Sequence, residues 1–123
     1  LYTSTEWMRC SVGQRWNGET CTGKIINLNH DQMEEVLKLA SEQLGSGWRL
    51  PSRKELESLV CRDCNIPKIN AEIFPNTDPV PYWTGERNKF AKRHFWSVNF
   101  YTGNTYGRFY PYQSLAVRLV RNR

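Results

Sequence analysis

The apolar positions of this chain change their period once along its length. Through "DQMEEVLKLASEQLG", Met33, Val36, Leu37, Ala40 and Leu44 recur three and four residues apart, which puts them on one face of a helix. Asp31 stands where a first-turn cap belongs, Glu34 follows three residues later, and Gly45 supplies the stop. A second helix is predicted in "PSRKELESLV", with Ser52 as its cap, Glu55 as the reciprocal partner and Leu56, Leu59 and Val60 as its buried stripe. "NIPKIN" ends it, because Pro67 cannot continue a helix and disfavours helical geometry just before it.

Between Asn65 and Pro81 the prolines at 67, 75, 79 and 81 mark a loop. Beyond them the period becomes two. In "FWSVNFYTGNTYGRFY", Trp96, Val98 and Phe100 alternate with Ser97, Asn99 and Tyr101, and "TGN" turns the chain into a second strand near Thr105–Tyr110. "LAVRLV" closes the chain as a strand, with Leu115, Val117 and Leu119 on one face. Helices come first and antiparallel strands follow. The expected class is α+β, two helices followed by a small antiparallel sheet, in a single domain over residues 1–123.

Composition supports a packed core. The 123 residues include five Trp, six Tyr and five Phe, enough large apolar area to exclude disorder. No stretch approaches the 18 apolar residues of a membrane span, so no membrane insertion is expected.

Charge adds an asymmetry. Residues 1–60 hold seven Lys/Arg against eight Asp/Glu, whereas residues 61–123 hold ten against four. After Glu86 there are eight cations and no acid at all. Surfaces built only for solubility mix their signs, so a one-signed third of a chain suggests a field aimed at an anionic partner. The candidate ligand-binding residues are Arg87, Lys89, Lys92, Arg93, Arg108, Arg121 and Arg123, since charge-assisted bonds to sulfate or carboxylate are about twice as strong as neutral ones. Against this stands the plain reading that "ERNKFAKRH" is a solvated loop. Tyr106, Arg108 and Tyr110 share one strand face by the same period of two, offering two aromatics beside a cation if that face points outward.

Four cysteines, Cys10, Cys21, Cys61 and Cys64, are compatible with two disulfides and an oxidising compartment. Three pairings are possible. Cys10 and Cys21 flank a turn-rich segment whose Gly13 and Asn17-Gly18 can fold it back on itself, which leaves Cys61 with Cys64. The rival readings of "CRDC" are a redox motif, which belongs at a helix start after a strand, and half of a zinc site. The histidines available to such a site are His30 and His94. His30 is expected at the surface or in a capping region, and His94 borders an aromatic strand inside the basic run. No metal or other cofactor is expected.

Six segments together resemble one family: "GQRWNGETCTG", "GWRLPSRKELESLV", "NAEIFPNT", "YWTGE", "FWSVNFYTG" and the terminal "VRLVR". In this order, from about Arg9 to Arg121, they resemble the Lcl C-terminal-domain family, named for the Legionella collagen-like adhesin. The resemblance implies a fold similar to C-type lectins and formylglycine-generating enzymes, where a similar "RLP…E" opens the second helix and an "RLV"-like strand ends the domain. It implies a secreted or bacterial cell-surface adhesin domain whose partners are sulfated glycosaminoglycans or other acidic polysaccharides, and a homotrimer. This chain has no Gly-X-Y repeat, so the trimer rests on the resemblance alone.

The other function classes are weaker. No "GxSxG", "HExxH" or P-loop occurs, and paired cysteines would leave no thiol nucleophile, so no enzyme is expected. Fold kinship to the formylglycine-generating enzymes does not carry their chemistry onto Cys61 or Cys64. Nucleic acid is not an expected partner: the first helix carries Asp31, Glu34, Glu35 and Glu42 against Lys38, a poor groove reader. Arg49 and Arg118 are expected to be structural, held through their planar forks, and Trp48, Trp83 and Trp96 to be core. The alternative to glycan binding is a protein–protein or trimer-assembly cap of a surface appendage, with the cations merely solvated.

Overall fold

A computed structural model describes residues 5–90 and 93–122. Before the first helix, the Asn29 side chain accepts the Gln32 backbone N–H at 3.1 Å and Gln32 Oε1 accepts the Asn29 N–H at 2.9 Å. This reciprocal cap opens a 3₁₀ turn, His30–Gln32, that runs into α1, Met33–Leu44. The cap is therefore Asn29 rather than Asp31, because the helix is entered one tight turn earlier than the apolar spacing indicates. Gly45 ends α1 at φ +93°, a backbone conformation open to glycine at little cost. Met33 and Ala40 are buried and Val36 and Leu37 pack beside them, whereas Leu39 and Leu44 remain exposed. Leu44 thus leaves the buried stripe at the last helical residue.

The second helix, α2, spans Arg53–Glu57. Ser52 Oγ accepts the Glu55 N–H at 3.2 Å, and Glu55 Oε1 accepts the Ser52 N–H at 2.8 Å, the expected capping box. It is shorter than its apolar stripe. Leu56 is buried within it, whereas Leu59 and Val60 follow in a turn that bridges to Ile69.

Among the described residues the strands form three sheets rather than one, and three of these strands precede the helices. The strand β1 (Thr5–Trp7) pairs antiparallel with β7 (Val120–Asn122), so the two ends of the described chain close on each other. A small hairpin joins β2 (Arg15–Trp16) to β3 (Cys21–Thr22). The largest sheet has the order β4 (Pro81–Arg87), β5 (Phe95–Asn99), β6 (Thr105–Phe109). Elements of two or three residues show no readable alternation, which is why β1, β2 and β3 escape a period-based reading.

"LAVRLV" is less a two-faced strand than the spine of the core. Leu115 to Val120 are all buried, and much of the segment is held by single bridges, Leu28 to Leu115 and Tyr82 to Ala116. On one side Leu115, Val117 and Leu119 meet Leu28, Met33, Ala40 and Trp83; on the other Ala116 meets Leu56, Tyr82, Val98 and Phe100. Disulfides join Cys10 to Cys21 and Cys61 to Cys64, pinning the β2–β3 hairpin and the turn after α2.

Candidate functional site: a basic end of the three-stranded sheet

Register sets the site. Arg87, the last residue of β4, lies opposite Phe95, which lies opposite Phe109. Side chains of such partners share a face, and the Arg87 guanidinium sits 4.9 Å over the Phe95 ring. The loop beyond Arg87 is latched to the sheet by buried Asn88. Its N–H donates to the His94 carbonyl at 2.9 Å and its Nδ2 to the Gly107 carbonyl at 2.8 Å. Residue 107 has to be glycine for this approach: a Cβ there would stand 2.6 Å from the Trp96 ring and 2.8 Å from Asn88 Nδ2.

Four cations lie along this sheet end and its loop. Lys89 and Arg93 emerge from the loop beside Asn88 and His94, Arg108 follows Gly107 on β6, and Arg87 closes β4; all four are exposed. The neighbouring acid, Glu86, is half-buried and accepts the Arg53 backbone N–H at 3.2 Å. Beyond it no acid follows in the sequence.

Arg121 is set apart from these four. Its Nη2 meets Glu6 Oε2 at 3.1 Å, its Nη1 donates to the Leu44 carbonyl at 3.3 Å, and its guanidinium lies 4.6 Å over the Trp48 ring. It therefore stands at the C-terminal end of α1, while Phe95, under Arg87, stacks on His30 at the N-terminal end. Twelve helical residues separate those ends, about 18 Å. Lys92 and Arg123 lie outside the described residues.

Arg49 and Arg118 sit in structural roles. Arg49 forks onto Glu55 with two contacts of 2.8 Å and reaches Asn122 Oδ1 at 2.7 Å. The guanidinium holds the Glu55 carboxyl down at about 2. Arg118 is fully buried and donates to the carbonyls of Met8 and Arg9 and to Thr77 Oγ1 at 2.6 Å, with Phe74 stacked 4.6 Å away. Burial lowers its pKa, and burial raises that of neighbouring Tyr82.

His94 borders β5 as expected, whereas His30 differs from expectation. His30 begins the 3₁₀ turn, but its ring is packed, 3.9 Å from the Phe95 centroid and 4.5 Å from that of Trp83. This burial lowers its pKa. His94 lies tilted by 46° against Tyr110 at 4.3 Å, and Tyr110 in turn stacks on Tyr112 at 5.2 Å and 14°. Of the tryptophans, Trp83 is buried, Trp48 and Trp96 are half-buried beneath Arg121 and Arg53, and Trp16 is exposed. The column of His94, Tyr110 and Tyr112 has no signature in the sequence, because its members come from a loop and a turn that only the fold brings together.

A second feature is a groove of about 910 Å³ between α1 and the β2–β3 hairpin, whose walls include Met8, Trp16, Ile26, Leu39, Leu44 and Trp48.

These observations describe a disulfide-bonded α+β domain with four exposed cations at one end of its three-stranded sheet. The chain belongs to the Lcl C-terminal domain family, which matches it over residues 1–121. That makes it an adhesin-related C-terminal domain. No curated protein matches the chain. The two disulfides fit an extracellular protein. Among the described residues no helix is long and apolar enough to cross a membrane.

Proposed function

We propose that this domain is a non-enzymatic, extracellular adhesin module of a secreted or cell-surface protein. It holds sulfated or otherwise acidic polysaccharides, glycosaminoglycans among them, by electrostatics. The observation that carries the reading is the exposed group Arg87, Lys89, Arg93 and Arg108 at one sheet end, with its adjacent acid, Glu86, turned toward the Arg53 backbone. Several weak contacts along one polymer chain add through effective concentration. A C-type-lectin-like fold accords with the same reading, since "RLPSRKE" opens α2 and "RLV" runs into β7.

Heparin retention across a salt series tests it. Exposed charges are screened beyond about 8 Å at physiological ionic strength, so retention should fall steeply with salt. Salt-insensitive retention, or no retention, would count against the proposal.

A second reading is favoured by the apolar groove, where Trp16, Ile26, Leu39 and Leu44 are exposed together. In that reading the domain is an assembly cap, and the homotrimer implied by the family is its working state. The solution mass decides between a monomer and an assembly, and loss of the assembly in Leu39→Glu would place the contact on the groove.

A further inference from the structure

Beside the cations lies an aromatic surface. Tyr106, Tyr110 and Tyr112 are 49%, 38% and 66% exposed. Large rings on a water-facing surface cost solvation and need a use when they cluster. Here they are braced. Tyr112 stacks on Tyr110 with 5.2 Å between centroids and 14° between planes, and Tyr110 leans on His94 at 4.3 Å. Tyr106 meets Phe109 edge-on at 4.9 Å. The Tyr110 N–H also donates to Gln113 Oε1 at 2.8 Å, which fixes the turn carrying Tyr112. The column is continuous with the basic group, because His94 follows Arg93 and Tyr110 lies two residues from Arg108.

We propose that this tyrosine column is a sugar-stacking platform, so that the ligand of the basic sheet end is a sulfated pyranose polymer read by ring faces as well as by charge. This rests on the polysaccharide reading above. A pyranose presents a C–H face that packs on an aromatic ring, while its sulfates reach the guanidinium and ammonium groups alongside. Tyrosine suits such contact, since it offers large rigid area at little conformational cost and a hydroxyl for the rim. The stack holds Tyr112 in place before the ligand arrives, so little ordering cost is left for binding. Aromatics beside cations also suit single-stranded nucleic acid. Two disulfides favour the polysaccharide, because they belong to an oxidising compartment.

The test compares heparin, inorganic polyphosphate and oligo-dT on wild-type protein and on Tyr112→Ala, Tyr110→Ala, Tyr112→Phe and Arg108→Glu. Heparin affinity should drop about three- to tenfold in each Tyr→Ala variant, the scale of one aromatic contact, with its salt slope unchanged. Tyr112→Phe should restore it, and polyphosphate, which has no rings, should be indifferent to every tyrosine change. Arg108→Glu should weaken both polyanions and flatten the slope. Heparin binding that ignores the tyrosines overturns the platform and leaves the electrostatic adhesin standing. Wild-type protein that binds no heparin overturns both, and oligo-dT bound more tightly through the same tyrosines replaces the sugar with nucleic acid.

Discussion

Arg49 donates from Nη1 and Nη2 to the two carboxylate oxygens of Glu55, at 2.8 Å each. The same carboxylate caps α2 through the Ser52 N–H, and Arg49 in turn donates to Asn122 Oδ1, so the pair ties the helix start to the strand that Asn122 ends. Because the hydrogen-bonded Arg49 lowers the Glu55 pKa from 4.5 to about 2, its contribution to stability is complete above pH 4.5 and is lost as pH falls toward 2. Water screens the pair, so the contribution is about 1 kcal/mol. Glu55→Gln should lower the urea midpoint at pH 7 and flatten the acid limb of the stability curve in that window. A limb of unchanged shape would assign the acid loss elsewhere.

Arg118 is the costlier arginine to remove. It is buried, and among the described residues it meets no carboxylate; carbonyls and hydroxyls solvate it instead. Arg118→Met would leave the Met8 and Arg9 carbonyls and Thr77 without this donor, at roughly 1–3 kcal/mol for each group left unpaired. Equilibrium unfolding should show a loss of about 3 kcal/mol or more. Arg118→Lys should rescue little, since a point charge cannot span the same acceptors.

His30 gives the chain a second pH dependence, separate from that of Glu55. Burial against Phe95 and Trp83 lowers its pKa below 6.5, Arg87 lowers it further, and the Thr84 backbone and Asp31 pull the other way. The folded state therefore binds its proton less readily than the unfolded chain. Stability is complete above pH 6.5 and declines as pH falls through the lowered value. Thermal melts of His30→Phe between pH 7 and 5 should lack the decline seen in wild type. A decline of equal size in the variant would exclude His30 as its source.

The two disulfides should contribute unequally. Cys10 and Cys21 are 11 residues apart in sequence, Cys61 and Cys64 only 3. On the loop-entropy account the longer bridge stabilises by about 3 kcal/mol and the shorter by about 2 kcal/mol. The double variant Cys10→Ala/Cys21→Ala should melt at a lower temperature than Cys61→Ala/Cys64→Ala. The reverse order would mean that the short bridge holds more than its own turn.

Charge reversal should separate the basic group from the isolated arginine. Arg93→Glu with Arg108→Glu should reduce heparin retention and its salt slope, with little change in stability, because both residues are exposed. Arg121→Glu should do the opposite: it breaks the Glu6 contact and places two acids together, destabilising the β1–β7 pair while leaving retention nearly intact. Equal losses of retention from all three would return Arg121 to the binding surface.

The helices, the β5–β6 hairpin and the capping box at Ser52 were legible because each is specified by residues a few positions apart. The strands β1, β2 and β3 were not, since two- and three-residue strands carry no period. Leu115 to Val120 read as a strand with one buried face, yet both faces are covered, and a burial made by distant partners leaves no local trace. The basic group was legible only as a composition. Its division into Arg87, Lys89, Arg93 and Arg108 on one side and Arg121 on the other depends on register and on a single ion pair.

The sequence by itself determined the α+β class, the acid-free charge of the last third and the two helix-forming runs, because propensity, capping and net charge are properties of neighbours along a chain. Tertiary structure decided that Arg121 stands apart from the other cations, that His30 is packed on Phe95 and Trp83, and that His94, Tyr110 and Tyr112 form one column. Those outcomes turn on contacts such as that of Asn88 with Gly107, 19 residues apart. Hydrogen bonding and packing between segments fix such contacts, and a one-dimensional pattern does not encode them.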